Sequence, residues 1–343
     1  MRFDSTILKN FRNFCGPDLK FNWEPGINLI LGKNGTGKTN LLEALSILTG
    51  WGAFAKTSSL IPWSTNEKPY IFAKVSGEES ITVSAEVSTR ISLRLGGKSV
   101  SFTDLRLSFP SIIFLTGNLS LIDGSPSSRR LFVDRLCALF VPPFAKRLAD
   151  FKTVSRARSL LLRQDRATDP ADESYFRLGG WVMDIRREVV KQLMTMMTDK
   201  RVTLKFLPEI EESSSSEKFL RTMTASHKTR EIYAQRSLFG PGNDELLISV
   251  AENGRPASES LSRGQKRRLI LYMIITAGRM IEARLGRKPV LLLDDMTAEL
   301  DAEGRNLAFN ELEVTGWQVF ITAPENPFAK TKKRKGTKGI VML

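Results

Sequence analysis

Gly32-Lys33-Asn34-Gly35-Thr36-Gly37-Lys38-Thr39 is the stretch whose reading decides the fold of this 343-residue chain. The octet satisfies G-x-x-x-x-G-K-[ST] and stands between two readable elements. Before it, Ile27-Asn28-Leu29-Ile30-Leu31 is a short apolar run after the turn pair Pro25-Gly26, the pattern of a buried strand. After it, Leu41, Leu42, Leu45 and Leu48 recur at helical spacing, and Gly50 provides a stop. Strand, glycine loop and helix in that order make a cradle for phosphate. Glycines let successive backbone N–H groups turn inward around an anion, and the helix start adds partial positive charge. In this frame Lys38 reaches the β- and γ-phosphates of ATP and the Thr39 hydroxyl is placed to ligate Mg²⁺. Gly32, Asn34, Gly35, Thr36, Gly37 and Asn40 complete the expected nucleotide contacts. The plain alternative is a glycine-rich turn without a ligand, and the flanking strand and helix weigh against it.

The far end of the chain supplies the matching chemistry. Val290-Leu291-Leu292-Leu293 is a run of aliphatics that ends in Asp294 and Asp295. A buried parallel strand delivers the residues at its C-terminal end to the ligand crevice of an α/β fold. Asp294 is therefore the candidate Mg²⁺ carboxylate, and Asp295 the candidate general base for an attacking water. Two acids ending a strand in solvent would look the same in isolation. Leu261-Ser262-Arg263-Gly264-Gln265 precedes that strand by about thirty residues and opens a long apolar helix. It combines a hydroxyl, a glycine that permits close approach and a helix N-terminus. Taken alone, Ser262 is simply an N-cap.

With these three elements in this order, the chain resembles ABC-type ATPase heads and, among them, the RecF family. The resemblance implies that Ser262, Arg263, Gly264 and Gln265 form an LSxGQ signature that binds the γ-phosphate held by a second subunit. ATP would then be sandwiched between two heads, with hydrolysis releasing the dimer. Ala298-Glu299-Leu300-Asp301 falls where such ATPases carry their D-loop. Lys9-Asn10-Phe11-Arg12-Asn13-Phe14 is similar to the NFRN segment of SMC-like and RecF heads, which implies that Arg12 and Asn13 approach the phosphates; an exposed turn is the alternative. Two stretches point to RecF in particular: Gly52-Ala53-Phe54, and Gly124-Ser125-Pro126 with Arg129-Arg130-Leu131-Phe132-Val133-Asp134, which resembles the family's G-x-P-x-x-R-R-x-F-x-D run. Asp295, where transporters usually carry Glu, suits the same family. Only about 220 residues separate the phosphate loop from the signature, too few for the long coiled coil of an SMC protein. The chain also departs from the family. Thr116-Gly117-Asn118 replaces the usual Pro-Glu-Asp, which leaves Asn118 as the candidate Q-loop residue. The GPHRDD-like stretch reads Gly240-Pro241-Gly242-Asn243-Asp244-Glu245, without its His and Arg.

Pattern and composition fill in the rest. Alternating segments between about 70 and 106 predict antiparallel strands, and residues from Ser127 to about Met197 repeat at helical spacing. The polar stretch Glu211–Glu217 is expected to be a surface loop. The expected fold is α/β: an ABC-type P-loop ATPase head with a mixed sheet core and antiparallel strands, interrupted by a helical arm lobe. Its expected parts are residues 1–120, an insertion at 121–235, and a return at 236–343 carrying the signature, the acidic strand end and a basic tail. Lys and Arg number 51 against 37 acidic residues, a formal charge of +14, which favours polyanions. Arg147, Lys152, Arg156, Arg158 and Arg163 crowd one predicted helix and are candidates for DNA phosphates, as is the run from Lys330 to Lys338. No run of 18 apolar residues predicts a membrane span, the N-terminus shows no apolar leader, and Cys15 and Cys137 form no paired motif, so a cytoplasmic location is expected. The resemblance implies an ATP-dependent homodimer with weak hydrolysis, acting on gapped DNA or single/double-strand junctions with RecR, RecO and RecA. Two other readings fit the same motifs: an SMC-like ATPase that regulates a nuclease or defence partner, and the ATPase subunit of a membrane transporter.

Overall fold

The computed structural model describes residues 1–62, 67–77, 79–115, 121–164, 166–198, 201–211, 214–297, 300–328 and 338–343. The chain divides into two compact units, Met1–Asn118 with Ser262–Leu343, and Leu119–Leu261. The first unit begins with strands β1 (Arg2–Lys9), β2 (Leu19–Asn22) and β3 (Ile27–Leu31) and helix α1 (Lys38–Ile47). Strands β4 (Tyr70–Ser76), β5 (Ser80–Val87), β6 (Ile91–Leu95) and β7 (Lys98–Val100) follow, then α2 (Phe102–Ser108) and β8 (Ser111–Phe114). The second unit holds α3 (Pro126–Phe140), α4 (Phe144–Arg163), α5 (Asp169–Met196), β9 (Val202–Leu207), α6 (Ser216–Ser226), α7 (Lys228–Ala234), β10 (Glu245–Val250) and α8 (Ala257–Ser260). The first unit resumes with α9 (Arg263–Leu285), β11 (Val290–Asp294), α10 (Ala302–Thr315), β12 (Val319–Ala323) and β13 (Lys338–Met342).

Two sheets build the first unit. Strands β2-β1-β4-β5-β6-β7 form an antiparallel sheet, and β13-β3-β12-β11-β8 form a parallel one. Every residue of β3, β8, β11 and β12 is buried, the continuous apolar pattern of a parallel sheet covered on both faces. Helix α1 explains how the sheets share a core. Leu41, Leu42, Ala44, Leu45 and Ile47 all lie at 0% exposure and join one cluster with Phe3, Ile71 and Val83 of the antiparallel sheet and Leu292 and Phe320 of the parallel sheet. A helix buried at every position from Leu41 to Ile47 is a core helix. The stop expected at Gly50 is near the observed end, because Leu48 caps α1 and Gly50 takes φ +80° against the backbone of Phe102 and Arg106. The basic tail does not simply trail away: at Lys338 the chain enters β13, which pairs parallel with β3, while residues 329–337 lie outside the described residues.

The inserted unit is helical with one antiparallel strand pair, β9 and β10. That pair corrects the expected boundary. Residues 236–261, grouped above with the ATPase lobe, pack in the insertion, because β10 finds its hydrogen-bond partner in β9 rather than in either large sheet. Glu211–Glu217 is likewise not a loose loop throughout. Ser215 accepts from Lys218 N and caps α6, and Ser216 is buried. Gly180 of α5 makes that packing possible, since a Cβ there would stand 2.5 Å from the backbone nitrogen of Glu217. Among the described residues no helix is long and apolar enough to cross a membrane.

Candidate functional site

The phosphate loop leaves β3 and enters α1 through two glycines in the left-handed region, Gly35 at φ +86° and Gly37 at φ +107°. Gly37 is the N-cap of α1, and no side chain caps the helix start, so its first N–H groups have no side-chain acceptor. A side chain at Gly37 would also strike the Asn13 amide 2.6 Å away. Lys38 folds back over the loop, its Nζ donating to the carbonyls of Gly32 at 2.7 Å and Lys33 at 2.8 Å. That ammonium sits over backbone oxygens that a phosphate can replace.

Thr39 and Asp294 are 255 positions apart in sequence, and the fold places them together. The Thr39 hydroxyl donates to Asp294, 3.1 Å from each carboxylate oxygen. Asp294 ends β11 and is buried, and its Oδ1 also accepts from the Thr322 hydroxyl of β12 at 2.6 Å. The same hydroxyl accepts from the backbone N–H of Asp295 at 2.9 Å. Asp295 itself leaves the strand at φ +52°, a conformation that turns the chain sharply and is uncommon outside glycine. Arg267 of α9 buttresses this turn by donating to the carbonyls of Asp295 at 2.9 Å and Met296 at 3.3 Å. Thr322, Arg267 and the turn at Asp295 were not singled out from the sequence. The end of the buried run Val319–Ala323 was the available signal for Thr322, since a polar residue closing a covered parallel strand faces the crevice.

The NFRN segment separates into two fates. The Asn13 amide donates to the Thr36 carbonyl at 2.9 Å and its oxygen accepts from Asn40 at 2.7 Å, so both asparagines brace the loop. Arg12 is clamped to Glu43 of α1 by two hydrogen bonds of 2.8 and 2.9 Å. Glu43 is buried and also accepts from the Phe54 N–H at 2.7 Å, which accounts for a carboxylate among the buried apolar residues of α1. Ser262 and Gln265 form a reciprocal capping box at the start of α9: Gln265 N donates to the Ser262 hydroxyl at 3.3 Å and Ser262 N to Gln265 Oε1 at 2.8 Å. Gly264 has open space where a Cβ would stand. Arg263 begins the helix beside it. Asn118 and the D-loop residues Ala298 and Glu299 lie outside the described residues, while Asp301 caps α10. Among the five arginine and lysine candidates for DNA, Arg158 is excluded from the surface. It is 2% exposed and held by Asp172, Glu231 and Ser237. Arg147 stays exposed and lies over the Trp181 ring.

Comparison with known proteins agrees with this architecture. The chain is 28% identical over 348 residues to the DNA replication and repair protein RecF of Marinobacter nauticus, covering 93% of this chain and 91% of that protein. It is 29% identical over 313 residues to the protein of the same name from Shewanella baltica, covering 87% and 86%. Among solved structures, the recombination mediator protein RecF-ATPrS in the RecFOR pathway superposes with a TM-score of 0.83 at 23% identity, over 99% of this chain and 95% of that one. An SMC head bound to the C-winged helix domain of ScpA gives 0.55 at 14% identity, over 95% and 90%. Likeness at that identity establishes an ABC-type ATPase head fold. The family model described as the RecF/RecN/SMC N-terminal domain matches residues 3–342, and this chain belongs to that family.

Proposed function

We propose that the chain is a RecF-type ATPase that binds ATP with Mg²⁺, dimerises head to head, and holds DNA in that state. The observation that carries the reading is the meeting of Thr39 and Asp294 at the mouth of the uncapped glycine loop. A hydroxyl and a carboxylate converging beside a phosphate cradle are hard oxygen donors suited to Mg²⁺, whose remaining ligands are phosphate oxygens and water. Lys38 would exchange the Gly32 and Lys33 carbonyls for the β- and γ-phosphates. Asp295 would accept a proton from the attacking water, held in place by Thr322 and Arg267. Ser262, with the start of α9, would serve the γ-phosphate bound to a second copy. The relatives' names support DNA repair as the setting, and the +14 charge supports a polyanionic partner. Gapped duplex or a single/double-strand junction, slow hydrolysis, the partners RecR, RecO and RecA, and a cytoplasmic location complete the proposal.

The test is fluorescence anisotropy on a gapped duplex with ATP, with ADP and with no nucleotide, alongside light scattering for mass. ATP alone should give both a dimer and tight DNA binding. Lys38→Met, which removes a charged donor to phosphate, should weaken ATP binding about a hundredfold, on the order of 3 kcal/mol, and abolish both effects. DNA binding indifferent to nucleotide would refute the clamp and leave only a basic surface.

A further inference from the structure

The inserted unit carries a cleft of about 560 Å³ formed wholly by its own residues. Ser127 and Ser128, in the first turn of α3, line one side, and Lys152 and Arg156, one turn apart on α4, line another. Both cations are exposed and, among the described residues, neither has an ion-pair partner. Buried ion pairs and hydrogen bonds line part of the cleft. Arg186 is buried there, donating to both Asp134 oxygens at 2.8 and 3.1 Å, to Asp244 at 2.8 Å and to the Pro241 carbonyl at 2.7 Å. Arg130 is anchored through the neutral Asp244 carbonyl at 2.7 Å. Burial, and then the like charge of Arg186, hold the Arg130 guanidinium below its ordinary pKa, as expected where positive charge is crowded.

A charge tally identifies what this cleft lacks. Arg186 and Arg130 offset Asp134 and Asp244, which leaves Lys152 and Arg156 as a positive pair lining the same cleft as Ser128 and Ser127, whose hydroxyl shares a 2.6 Å hydrogen bond with Ser125, at the uncapped start of α3. A phosphate monoester carries about −1.5 to −2 at neutral pH, which matches that pair better than the single charge of a backbone diester. Leu148 and Phe151 add an apolar wall, and the volume exceeds that of phosphate alone. The turn at Gly242 sets the entrance. Gly242 lines the cleft, and a Cβ there would meet nothing within 4 Å, so a larger side chain can be introduced at this position without a clash at its first carbon.

We propose that this cleft binds a phosphate monoester, with Lys152 and Arg156 as the charge partners and the serines as hydroxyl donors. The monoester is either free phosphate or the phosphorylated 5′ end of a DNA strand. The two sources are separable with one protein preparation, in which a saturating non-hydrolysable ATP analogue occupies the phosphate loop. Anisotropy compares a fluorescent strand bearing a 5′-phosphate with the same strand bearing a 5′-hydroxyl, and calorimetry follows inorganic phosphate. The phosphorylated strand should bind about tenfold more tightly, the effect of one or two charge-assisted hydrogen bonds. Lys152→Gln with Arg156→Gln should erase the preference, and so should Gly242→Phe, which fills the mouth without removing charge. If the strands bind alike but inorganic phosphate binds wild type and neither variant, the proposal holds with free phosphate as the source. It is overturned if phosphate and strand ends are both ignored, if the preference survives both variants, or if the double variant weakens both strands equally. Because nucleotide is constant in every arm, failure of the clamp reading would not produce any of these results.

Discussion

In the unit formed by residues 1–118 and 262–343, the buried parallel strand β11 runs through aliphatic side chains and ends in a carboxylate, Asp294, which accepts from Thr39 at the start of α1. In residues 119–261 the arrangement is reversed. Arg158 and Arg186 are among the largest fully buried side chains of the whole protein, and each is boxed in by two carboxylates. Around them Phe151, Tyr175, Phe176, Met183 and Leu220 make a small aromatic-rich core. The contrast teaches where each unit spends its charged groups. The first also buries Glu43 in a pair with Arg12, but keeps Asp294 at the end of an apolar strand, beside the glycine loop, where a ligand can complete its bonding. The other uses its charged groups internally, where they complete one another and fix how α3, α4, α5 and α7 come together.

Changes of comparable size should therefore be felt as lost chemistry in one unit and as lost stability in the other. The largest expected effect is on catalysis: Asp295→Asn should slow single-turnover phosphate release about 10²- to 10⁴-fold, the range for a lost general base, with ATP affinity and melting temperature nearly unchanged. A matching loss of stability would collapse the distinction. Arg186→Met should do the opposite. It leaves Asp134 and Asp244 without their partner and should destabilise the insertion by about 3–5 kcal/mol, read as faster hydrogen exchange in α5, while ATP still binds the first unit. A smaller effect concerns pH. Burial raises the Asp244 carboxyl from 3.8 to about 6 despite its bond to Arg186. Because the folded form holds this proton more tightly than the unfolded chain, the associated stability is present below about pH 4 and is lost as pH rises through about 6. The shift corresponds to on the order of 3 kcal/mol, and urea titrations should show that component disappear in Asp244→Asn. The smallest effect sharpens the reading of the signature. Ser262→Ala should cost about 1 kcal/mol as a lost cap, yet abolish the ATP-induced dimer seen by light scattering. Loss of stability with dimerisation intact would reduce Ser262 to its capping role.

The elements that carry strong local signals were legible. The glycine octet, the aliphatic run before Asp294 and the leucine spacing after Thr39 each announce their own conformation, because φ > 0 demands glycine and a covered strand or helix demands apolar side chains. The helices after Ser127 were legible for the same reason. The pairing of Arg12 with Glu43 was not, because only folding brings that carboxylate within hydrogen-bond distance. Arg158 failed similarly. On a helix dense in basic residues it reads as one more solvated charge, and its burial depends on Asp172 and Glu231 arriving from elsewhere in the chain. The boundary of the insertion was misplaced because β10 reads as a strand without saying which strand it pairs with.

The ATPase head fold, the glycine loop between β3 and α1 and the acidic end of β11 were all readable from short-range patterns of backbone freedom and hydrophobic period. Which charges are satisfied inside the protein, as Arg158 and Arg186 are, emerged only from the folded arrangement. The reason is physical: an arginine's role is set by the groups within a few ångströms of its guanidinium, and those groups are brought there by the fold from distant parts of the chain.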